Sequence, residues 1–239
     1  MRLSVLLASY NGEKYIAKQI KSILDQLSSS DELIISDDGS TDQTIEIITS
    51  FDDPRLSIIE GPREGINANF ISAYENATGE AILLSDQDDI WLPGRAQLYR
   101  HKLVNHDFVI CDAEIIDEQD NILARSYFSK NQTPKTFIGS FIRCRTLGCC
   151  IGFRRDAIGE RLEIYSDYNI LPFDYSLTLL SLFYFKVYFT KKAYHQYRRH
   201  NTNYSEGGEK SKNSLWRMLM FRIRVLVYVF KAKKWLPNN

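Results

Sequence analysis

The first half of the chain lacks the two glycine-rich motifs that most often hold phosphate groups. It contains neither GxGxxG nor GxxxxGK[ST]. A Rossmann dinucleotide site and a P-loop both need such a loop, because its backbone amides surround the phosphates. The absence of both motifs argues against these two classes of nucleotide-binding protein.

Cysteine is also scarce. Cys111, Cys144, Cys149 and Cys150 form no CxxC pair, and no Cys/His spacing is typical of a zinc site. We therefore expect free thiols in a cytosolic protein rather than a disulfide-stabilised secreted domain.

Long apolar runs are absent too. No segment offers the roughly 18 uninterrupted apolar residues that a membrane-spanning helix needs. The apolar N-terminus, from Met1 to Tyr10, is short, lacks a signal-peptide cleavage pattern and runs into an Asn-Gly turn. We interpret it as a first β-strand.

Strand-like and helix-like segments alternate through residue 111. Short apolar runs typical of buried strands occur at Leu3–Ala8, Leu33–Ile35, Leu56–Ile59, Ala81–Leu84 and Phe108–Cys111. Between them lie segments typical of helices, namely Glu13–Leu27, Asp42–Phe51, Asn67–Ala77 and Pro93–Asn105. The pattern predicts an α/β fold with a mostly parallel sheet and right-handed crossovers.

Polar clusters follow three of the predicted strands: Ser9-Tyr10-Asn11, Asp37-Asp38-Gly39-Ser40 and Asp86-Gln87-Asp88-Asp89. The carboxyl ends of parallel strands share one edge of a sheet, where ligands bind in open α/β folds. The third cluster has three carboxylates in four positions, and such hard oxygen ligands suit Mg²⁺ or Mn²⁺. A nucleotide diphosphate held through a metal ion would fit this edge. The alternative is an acidic turn that happens to follow a strand.

The second half of the sequence is less regular. Asp117–Asn121 resembles a hairpin turn. The apolar, glycine-containing segment Leu147–Phe153 predicts a strand with a close backbone approach. We expect a helix over Asp174–Phe183, with Asp174 near its N-terminus, and a late strand over Lys186–Tyr197.

The order and spacing of several short motifs resemble those of bacterial family 2 glycosyltransferases. The matching pieces are Ser9-Tyr10-Asn11, Asp37–Asp42, Asn67-Ala68-Asn69, Ala77–Glu80, the DxD-type Asp86-Gln87-Asp88, Gly148–Arg155, Phe173-Asp174-Tyr175 and Tyr197–Asn201. The resemblance covers residues 1–205. It implies a GT-A fold, with a Rossmann-like, mostly parallel sheet flanked by helices. It also implies inverting sugar transfer that depends on Mn²⁺ or Mg²⁺, in the assembly of O-antigen or capsule polysaccharide.

The resemblance implies how the sugar donor would be held. Tyr10 would stack on the nucleobase, Asp38 would accept the imide N–H of uracil or thymine, and Asp86 would face the ribose or the sugar. The predicted donor-binding set is Ala8, Tyr10, Asn11, Asp38, Asn67, Asp86, Gln87 and Arg198.

The remaining roles concern the metal and the catalytic base. Asp88 and His200 would bind the metal, although a lone histidine on a loop can also be ordinary surface. Asp174 would take the proton from the acceptor hydroxyl, or serve only to cap its helix. Its match is partial, since Phe173 stands where many relatives have His or Glu. Asp89 could be a helix cap.

Three functions remain open from the sequence. The first is transfer of a sugar from a UDP- or dTDP-sugar to a lipid-linked glycan. The second is nucleotidyl transfer, which would require a glycine-rich loop with a basic residue after strand one. The segment Ser9–Lys14 has a single glycine, which counts against it. The third is a non-catalytic module that binds a sugar nucleotide without turnover. None of the three involves nucleic acid.

The charges divide the chain unevenly. Residues 1–208 contain 22 basic and 29 acidic side chains, whereas residues 209–239 contain eight basic and one acidic. We expect a catalytic domain over 1–208, with a nucleotide-binding half (1–111) and an acceptor-binding half (112–208). A basic amphipathic helix over 209–239 would follow it.

An apolar stripe runs along this predicted helix. It comprises Trp216, Leu219, Met220, Ile223, Leu226, Val227 and Phe230. The stripe could lie on an anionic membrane surface through residues 214–235, or pack on the domain or on a second subunit. The predicted location is cytoplasmic, peripheral on the cytoplasmic face of the inner membrane.

Overall fold

The computed structural model describes residues 1–159, 173–200 and 215–232. The strands are β1 (Leu3–Ser9), β2 (Glu32–Asp37), β3 (Leu56–Glu60), β4 (Ala81–Asp86), β5 (Ile90–Trp91), β6 (Phe108–Ile116), β7 (Ile122–Ala124), β8 (Ile151–Arg154) and β9 (Val187–Arg198). The helices are α1 (Ile16–Leu24), α2 (Thr44–Thr49), α3 (Ile66–Glu75), α4 (Arg95–Lys102), α5 (Tyr127–Asn131), α6 (Phe137–Ile142), α7 (Arg155–Ile158), α8 (Phe173–Tyr184) and α9 (Leu215–Ala232).

The first half forms a parallel sheet in the order β3-β2-β1-β4. β1 lies inside it, with Val5 opposite Leu33 of β2 on one side and Leu83 of β4 on the other. All seven residues of β1 are buried, as expected for an apolar strand covered by helices on both faces. The predicted α/β class, with a mostly parallel sheet flanked by helices, is confirmed.

The second half completes the same sheet. β8 runs antiparallel between β4 and β6, and β9 runs parallel to β6. The fifth predicted strand is therefore not the neighbour of β4, because a strand from later in the chain occupies that position. The fifth predicted strand, β6, is longer than expected and continues past Cys111 to Ile116. It continues because the buried carboxylate of Asp112, which interrupts the apolar run, accepts hydrogen bonds from Ser126 Oγ and Phe128 N–H.

Gly152 of β8 lies where three elements come close together. A Cβ at this position would be 2.5 Å from the ring of Tyr99 and 3.2 Å from the carbonyl oxygen of Ile82. The prediction of a close backbone approach in this segment is thus confirmed, and any larger residue would force β8 away from β4.

The predicted C-terminal helix is present as α9, but a different face packs on the domain. Val225, Tyr228 and Val229 are buried, and Tyr184 of α8 donates a 2.8 Å hydrogen bond to the carbonyl oxygen of Val229. Members of the predicted stripe, Ile223, Val227 and Phe230, are exposed instead.

The structure describes the predicted basic tail only in part. Lys233, Lys234 and Trp235, like the Gly207-Gly208 loop, lie outside the described residues, and the Trp216 side chain is not described. Among the helices that the structure describes, none has the length and apolar character to span a membrane.

Candidate active site

The three polar clusters meet at one edge of the sheet, as predicted. They follow β1, β2 and β4, and β1 pairs with both of the others. Gln87 joins the first and third clusters, since its side chain accepts from Tyr10 N–H and donates to Tyr10 O, both at 2.9 Å. Asn11 joins the first and second, because its N–H donates to Ser40 Oγ and its side chain accepts from Thr41 N–H, both at 2.8 Å. Convergence of the strand ends is confirmed.

Tyr10 and Asp38 differ in their surroundings at this edge of the sheet. Tyr10 is 56% exposed, so its ring is accessible for stacking. Asp38 accepts N–H groups from Arg63 at 2.7 Å and Gly65 at 2.9 Å, which fixes the loop before α3. Each carboxylate oxygen retains a second lone pair for a ligand. Asp37 is buried and accepts from Ser9 Oγ at 2.7 Å and Ser40 Oγ at 2.6 Å, so its role is to hold the loop.

Two further predicted donor-binding residues, Ala8 and Asn67, are less exposed than Tyr10. Ala8 is buried in β1 opposite Asp86 of β4, and Asn67 is half-buried in the first turn of α3. Contact of either residue with a donor remains a prediction.

Asp88 and His200, the predicted metal ligands, lie side by side. His200 Nε2 is 2.6 Å from Asp88 Oδ2, and the two side chains are 11% and 18% exposed. The imidazole ring stacks on Tyr15, with 5.4 Å between the ring centroids. A histidine nitrogen beside a carboxylate oxygen is a donor set that suits Mn²⁺ and accommodates Mg²⁺. The residues therefore fit the predicted cation.

Asp89, the last acid of the cluster after β4, is held by hydrogen bonds from β9. It is 1% exposed and accepts hydrogen bonds from His195 Nε2 at 2.7 Å and Arg198 N–H at 2.8 Å. The prediction that it caps a helix is wrong, because α4 begins at Arg95 after Gly94. Asp89 instead fastens the loop after β4 to β9.

A buried arginine, Arg95, supports the contact between Asp89 and β9. Arg95 is 0% exposed, and its guanidinium donates to His195 Nδ1, to the Cys149 carbonyl oxygen and, at 3.2 Å, to the Leu84 carbonyl oxygen. Burial lowers the pKa of His195, and the Arg95 charge lowers it further, so the imidazole is neutral and links Arg95 to Asp89.

Sequence reasoning missed Arg95 and His195. A signal was available in β9, where alternation puts His195 on the same face as the buried Tyr197. A buried histidine needs hydrogen-bond partners for its ring nitrogens. Nothing in the sequence indicated which residues those partners would be.

Arg198 was predicted to contact the donor, and the structure corrects this. Its side chain is 1% exposed, and its guanidinium donates to Asp88 O at 2.7 Å, Asp117 O at 2.9 Å and Asp120 Oδ1 at 2.5 Å. The hairpin turn predicted at Asp117–Asn121 is confirmed, and it supplies two of these three oxygens. A guanidinium enclosed in this way holds the Asp88 loop rather than a phosphate.

Asp86 and Asp174 are the remaining acids of the site. Burial raises the pKa of Asp86 well above its ordinary range, and the charges of Asp89, Asp88 and Asp174 raise it further. Burial also raises the pKa of Asp174, which accepts a 2.8 Å hydrogen bond from Tyr175 N–H in the first turn of α8. The Asp174 Cβ would be 3.1 Å from a Cβ at Gly148, so the glycine allows the base candidate to approach the sheet.

Comparison with known proteins identifies the family of the chain. Residues 4–162 match the model of the family described as glycosyl transferase family 2. That span is well over half of the chain, so the protein belongs to this family.

Two curated relatives are about 30% identical to this chain over the aligned residues. An uncharacterized glycosyltransferase from Nostoc is 31% identical over 140 residues, covering 56% of this chain and 42% of the relative. The UDP-Glc:α-D-GlcNAc-diphosphoundecaprenol β-1,3-glucosyltransferase of Escherichia coli is 30% identical over 118 residues, covering 48% and 47%. The chain thus spans less than half the length of these two relatives.

Solved structures show the same fold. S. aureus TarS in complex with UDP-GlcNAc superimposes with a TM-score of 0.67 at 19% identity, covering 95% of this chain and 66% of that one. A mannosyltransferase from Pyrobaculum calidifontis, in complex with GDP-Man and Mn²⁺, gives a TM-score of 0.61 at 19% identity, covering 99% and 65%. The predicted GT-A fold is confirmed.

Proposed function

We propose that this glycosyltransferase is a metal-dependent, inverting enzyme that moves a sugar from a UDP- or dTDP-sugar to a lipid-linked glycan in surface polysaccharide synthesis. The observation that carries the proposal is the meeting of Asp88 and His200, 2.6 Å apart, beside Asp86 at the strand edge that also presents the exposed Tyr10. Asp174 lies close enough to Asp86 for its charge to raise the Asp86 pKa.

The donor would enter with its base at Tyr10 and its diphosphate at Asp88. The aromatic ring stacks on the nucleobase, and Asp38 accepts the imide N–H with its remaining lone pairs. This supports a uracil or thymine nucleotide. TarS, of the same fold, was solved with UDP-GlcNAc, and the Escherichia coli relative uses UDP-Glc.

Asp88 and His200 would hold the divalent cation, with Asp86 oriented toward the ribose or sugar. A cation there would offset the negative charge that develops on the departing diphosphate. The mannosyltransferase with the same fold contains Mn²⁺. Mn²⁺ and Mg²⁺ both suit the oxygen-rich donor set.

Asp174 would act as the general base. Its carboxylate accepts the proton of the acceptor hydroxyl while that oxygen forms the new bond to C1 and the bond from C1 to the diphosphate breaks. Burial destabilises the ionised form of Asp174 and therefore makes it a stronger proton acceptor than an exposed aspartate. The N-terminal position on α8 favours the ionised carboxylate and so opposes the effect of burial.

A lipid-linked acceptor is supported by the relatives. The Escherichia coli enzyme acts on a diphosphoundecaprenol-linked sugar, and a Campylobacter jejuni relative, 28% identical over 133 residues, acts on a glycan linked to PP-undecaprenol. With such an acceptor, the enzyme would work at the cytoplasmic face of the inner membrane. Residues 214–235 would contact the membrane surface or, alternatively, a second subunit.

One experiment tests the reaction class. The protein is incubated with a panel of nucleotide sugars, Mn²⁺ and an undecaprenyl-diphosphate-linked sugar, and the released product is identified. Glycosyl transfer releases UDP or dTDP, whereas a nucleotidyltransferase would release pyrophosphate. Nucleotide binding without any release would indicate a non-catalytic module and would reject the proposal.

A further inference from the structure

Three helices present exposed apolar side chains on one side of the molecule. We call this surface the three-helix face and define it by Ile138 and Ile142 of α6, Phe183 of α8, and Ile223, Val227 and Phe230 of α9. Four of the six are more than 45% exposed, and Ile138 reaches 70%. Exposed apolar residues are common singly, but six on adjoining helices indicate a binding surface.

The face is continuous across the three helices. Ile138 and Ile142 are four residues apart, and Ile223, Val227 and Phe230 follow a spacing of four and three, so each set occupies one side of its helix. Phe183 contacts Phe230 edge-to-face, with ring centroids 5.7 Å apart. Arg222 Nη2 donates to the carbonyl oxygen of Ile142 at 3.1 Å, which joins α9 to α6.

The two segments that carry five of the six apolar residues have charged side chains of one sign. Lys135, Arg143, Arg222, Arg224 and Lys231 lie on the same two segments as the apolar residues. Residues 134–143 and 215–232 contain no aspartate or glutamate. Apolar residues flanked by basic side chains in these two segments complement an anionic lipid surface, because the apolar side chains enter the acyl boundary while the cations meet phosphate groups.

We propose that the three-helix face docks the enzyme on an anionic lipid bilayer. A second copy of the chain fits this face less well. In a two-fold dimer the same patch meets itself, so its basic side chains would oppose like charges. A bilayer imposes no such repulsion.

The position of the face agrees with work on a lipid-linked acceptor. Phe183 follows Asp174 by nine residues along α8, which is about 14 Å at a rise of roughly 1.5 Å per residue. An acceptor anchored in the bilayer would therefore present its sugar near the base. In this respect alone the inference rests on the proposed function.

The test is co-sedimentation of the full-length protein with vesicles, without donor or acceptor. Vesicles of phosphatidylcholine are compared with vesicles containing phosphatidylglycerol, at low and high salt. We expect binding to the anionic vesicles that weakens with salt. Ile138→Glu and Phe230→Glu should each weaken binding at least tenfold, whereas Leu123→Glu, at an exposed position of β7 away from the face, should stay within twofold of wild type.

Three results would overturn the inference. The wild-type protein could fail to bind anionic vesicles. Phe230→Glu could abolish binding while Ile138→Glu does not, which would assign binding to the C-terminal helix alone. Light scattering could reveal a dimer that Ile138→Glu dissociates, which would make the face a subunit interface. Release of UDP from donor in the same variants reports separately on the proposed function, since none of the substituted residues lies in the sugar-transfer site.

Discussion

At the residue scale, three neighbouring carboxylates have three environments. Asp89 is buried and held by His195 and by the backbone of Arg198, while Asp88 meets His200. Asp86 is kept near other acids, and its pKa rises accordingly. Neighbouring carboxylates destabilise one another's ionised forms unless a cation lies between them. The site therefore stores an electrostatic cost that a bound cation would relieve.

The first prediction concerns the base. Asp174→Asn should reduce transfer at least about 100-fold, because the amide cannot accept the hydroxyl proton. In the wild-type protein kcat/KM should fall as the pH is lowered through a pKa above 3.8, the ordinary value for aspartate, because the base must be ionised and burial raises its pKa. Steady-state kinetics with Asp25→Asn, an exposed carboxylate at the C-terminal end of α1, provide the control. Near-normal transfer by Asp174→Asn would remove this residue from the mechanism.

The second prediction concerns Asp86. Its pKa is raised in the folded protein, so the folded state holds a proton that the unfolded state releases as pH rises above about 4. Stability of the metal-free protein should therefore decrease through the window between the two pKa values. Asp86→Asn should raise the free energy of unfolding at pH 7 while impairing transfer, because the neutral amide has no charge to bury among the other acids.

Thermal unfolding in EDTA, repeated from acidic to neutral pH, measures this difference. The gain should disappear at acidic pH, where the wild-type carboxyl is also protonated. A variant that is equally or less stable than wild type at pH 7 would contradict the assignment of electrostatic cost to Asp86.

At the element scale, single side chains connect the ends of neighbouring strands. Gln87 binds the backbone of Tyr10 at two points, and Gly12 leaves room for it, since a Cβ at Gly12 would be 2.2 Å from Gln87 Oε1. Asn11 has a left-handed backbone with φ of 48°, which lets its N–H and side chain reach the loop after β2. The strand ends thus depend on one another for their geometry.

The third prediction follows from that dependence. Gln87→Ala should raise the KM for donor about fivefold with little change in kcat, because loss of the contacts to Tyr10 costs about 1 kcal/mol of ordering that donor binding must restore. Gly12→Ala should act in the same direction by displacing Gln87. Gln43→Ala, an exposed residue before α2, is the matched control. An unchanged KM in Gln87→Ala would show that Tyr10 is held by other contacts.

At the scale of the whole molecule, the sheet brings acids from distant parts of the chain to one edge. β4 supplies Asp86 and the loop after it supplies Asp88, while α8 supplies Asp174 from beyond β8. Charges from several elements are therefore coupled to one ligand site, and ligand binding should be visible in the stability of the whole fold.

The fourth prediction is that UDP and Mn²⁺ stabilise the protein cooperatively. The cation lowers the repulsion between the carboxylates and the diphosphate, so the two together should raise the melting temperature more than the sum of their separate effects. At concentrations about 100 times Kd the gain corresponds to about 2.7 kcal/mol. Differential scanning fluorimetry measures it. Asp88→Ala should abolish the cooperativity and Asp25→Asn should not; a UDP effect that is equal in EDTA would contradict metal bridging.

The sequence by itself determined the local elements and the edge at which the site lies. Apolar runs and helical spacing specify β1, β2, β4 and their helices, because period and burial are local properties. The polar residues after each strand then follow to the same edge, since parallel strands end together. The three strand-end clusters and the helix that begins near Asp174 were within reach for this reason. The roles of Asp88, His200 and Asp174 were instead implied by the resemblance of their motifs to those of family 2 glycosyltransferases.

Only the tertiary structure decided which polar groups serve the ligand and which serve the fold. Arg198 looked like a phosphate contact, but the hairpin at Asp117–Asn121 encloses it. Arg95 carried no local signal, and His195 only the alternation of β9. In the structure Arg95 donates to His195, which in turn donates to Asp89. In α9 the structure chose between the alternatives for the stripe, since Val225, Tyr228 and Val229 pack on the domain and leave Ile223, Val227 and Phe230 exposed. In each case the partners of the side chain are distant in sequence. No single segment therefore indicates whether that side chain contacts the rest of the fold or remains available to a ligand.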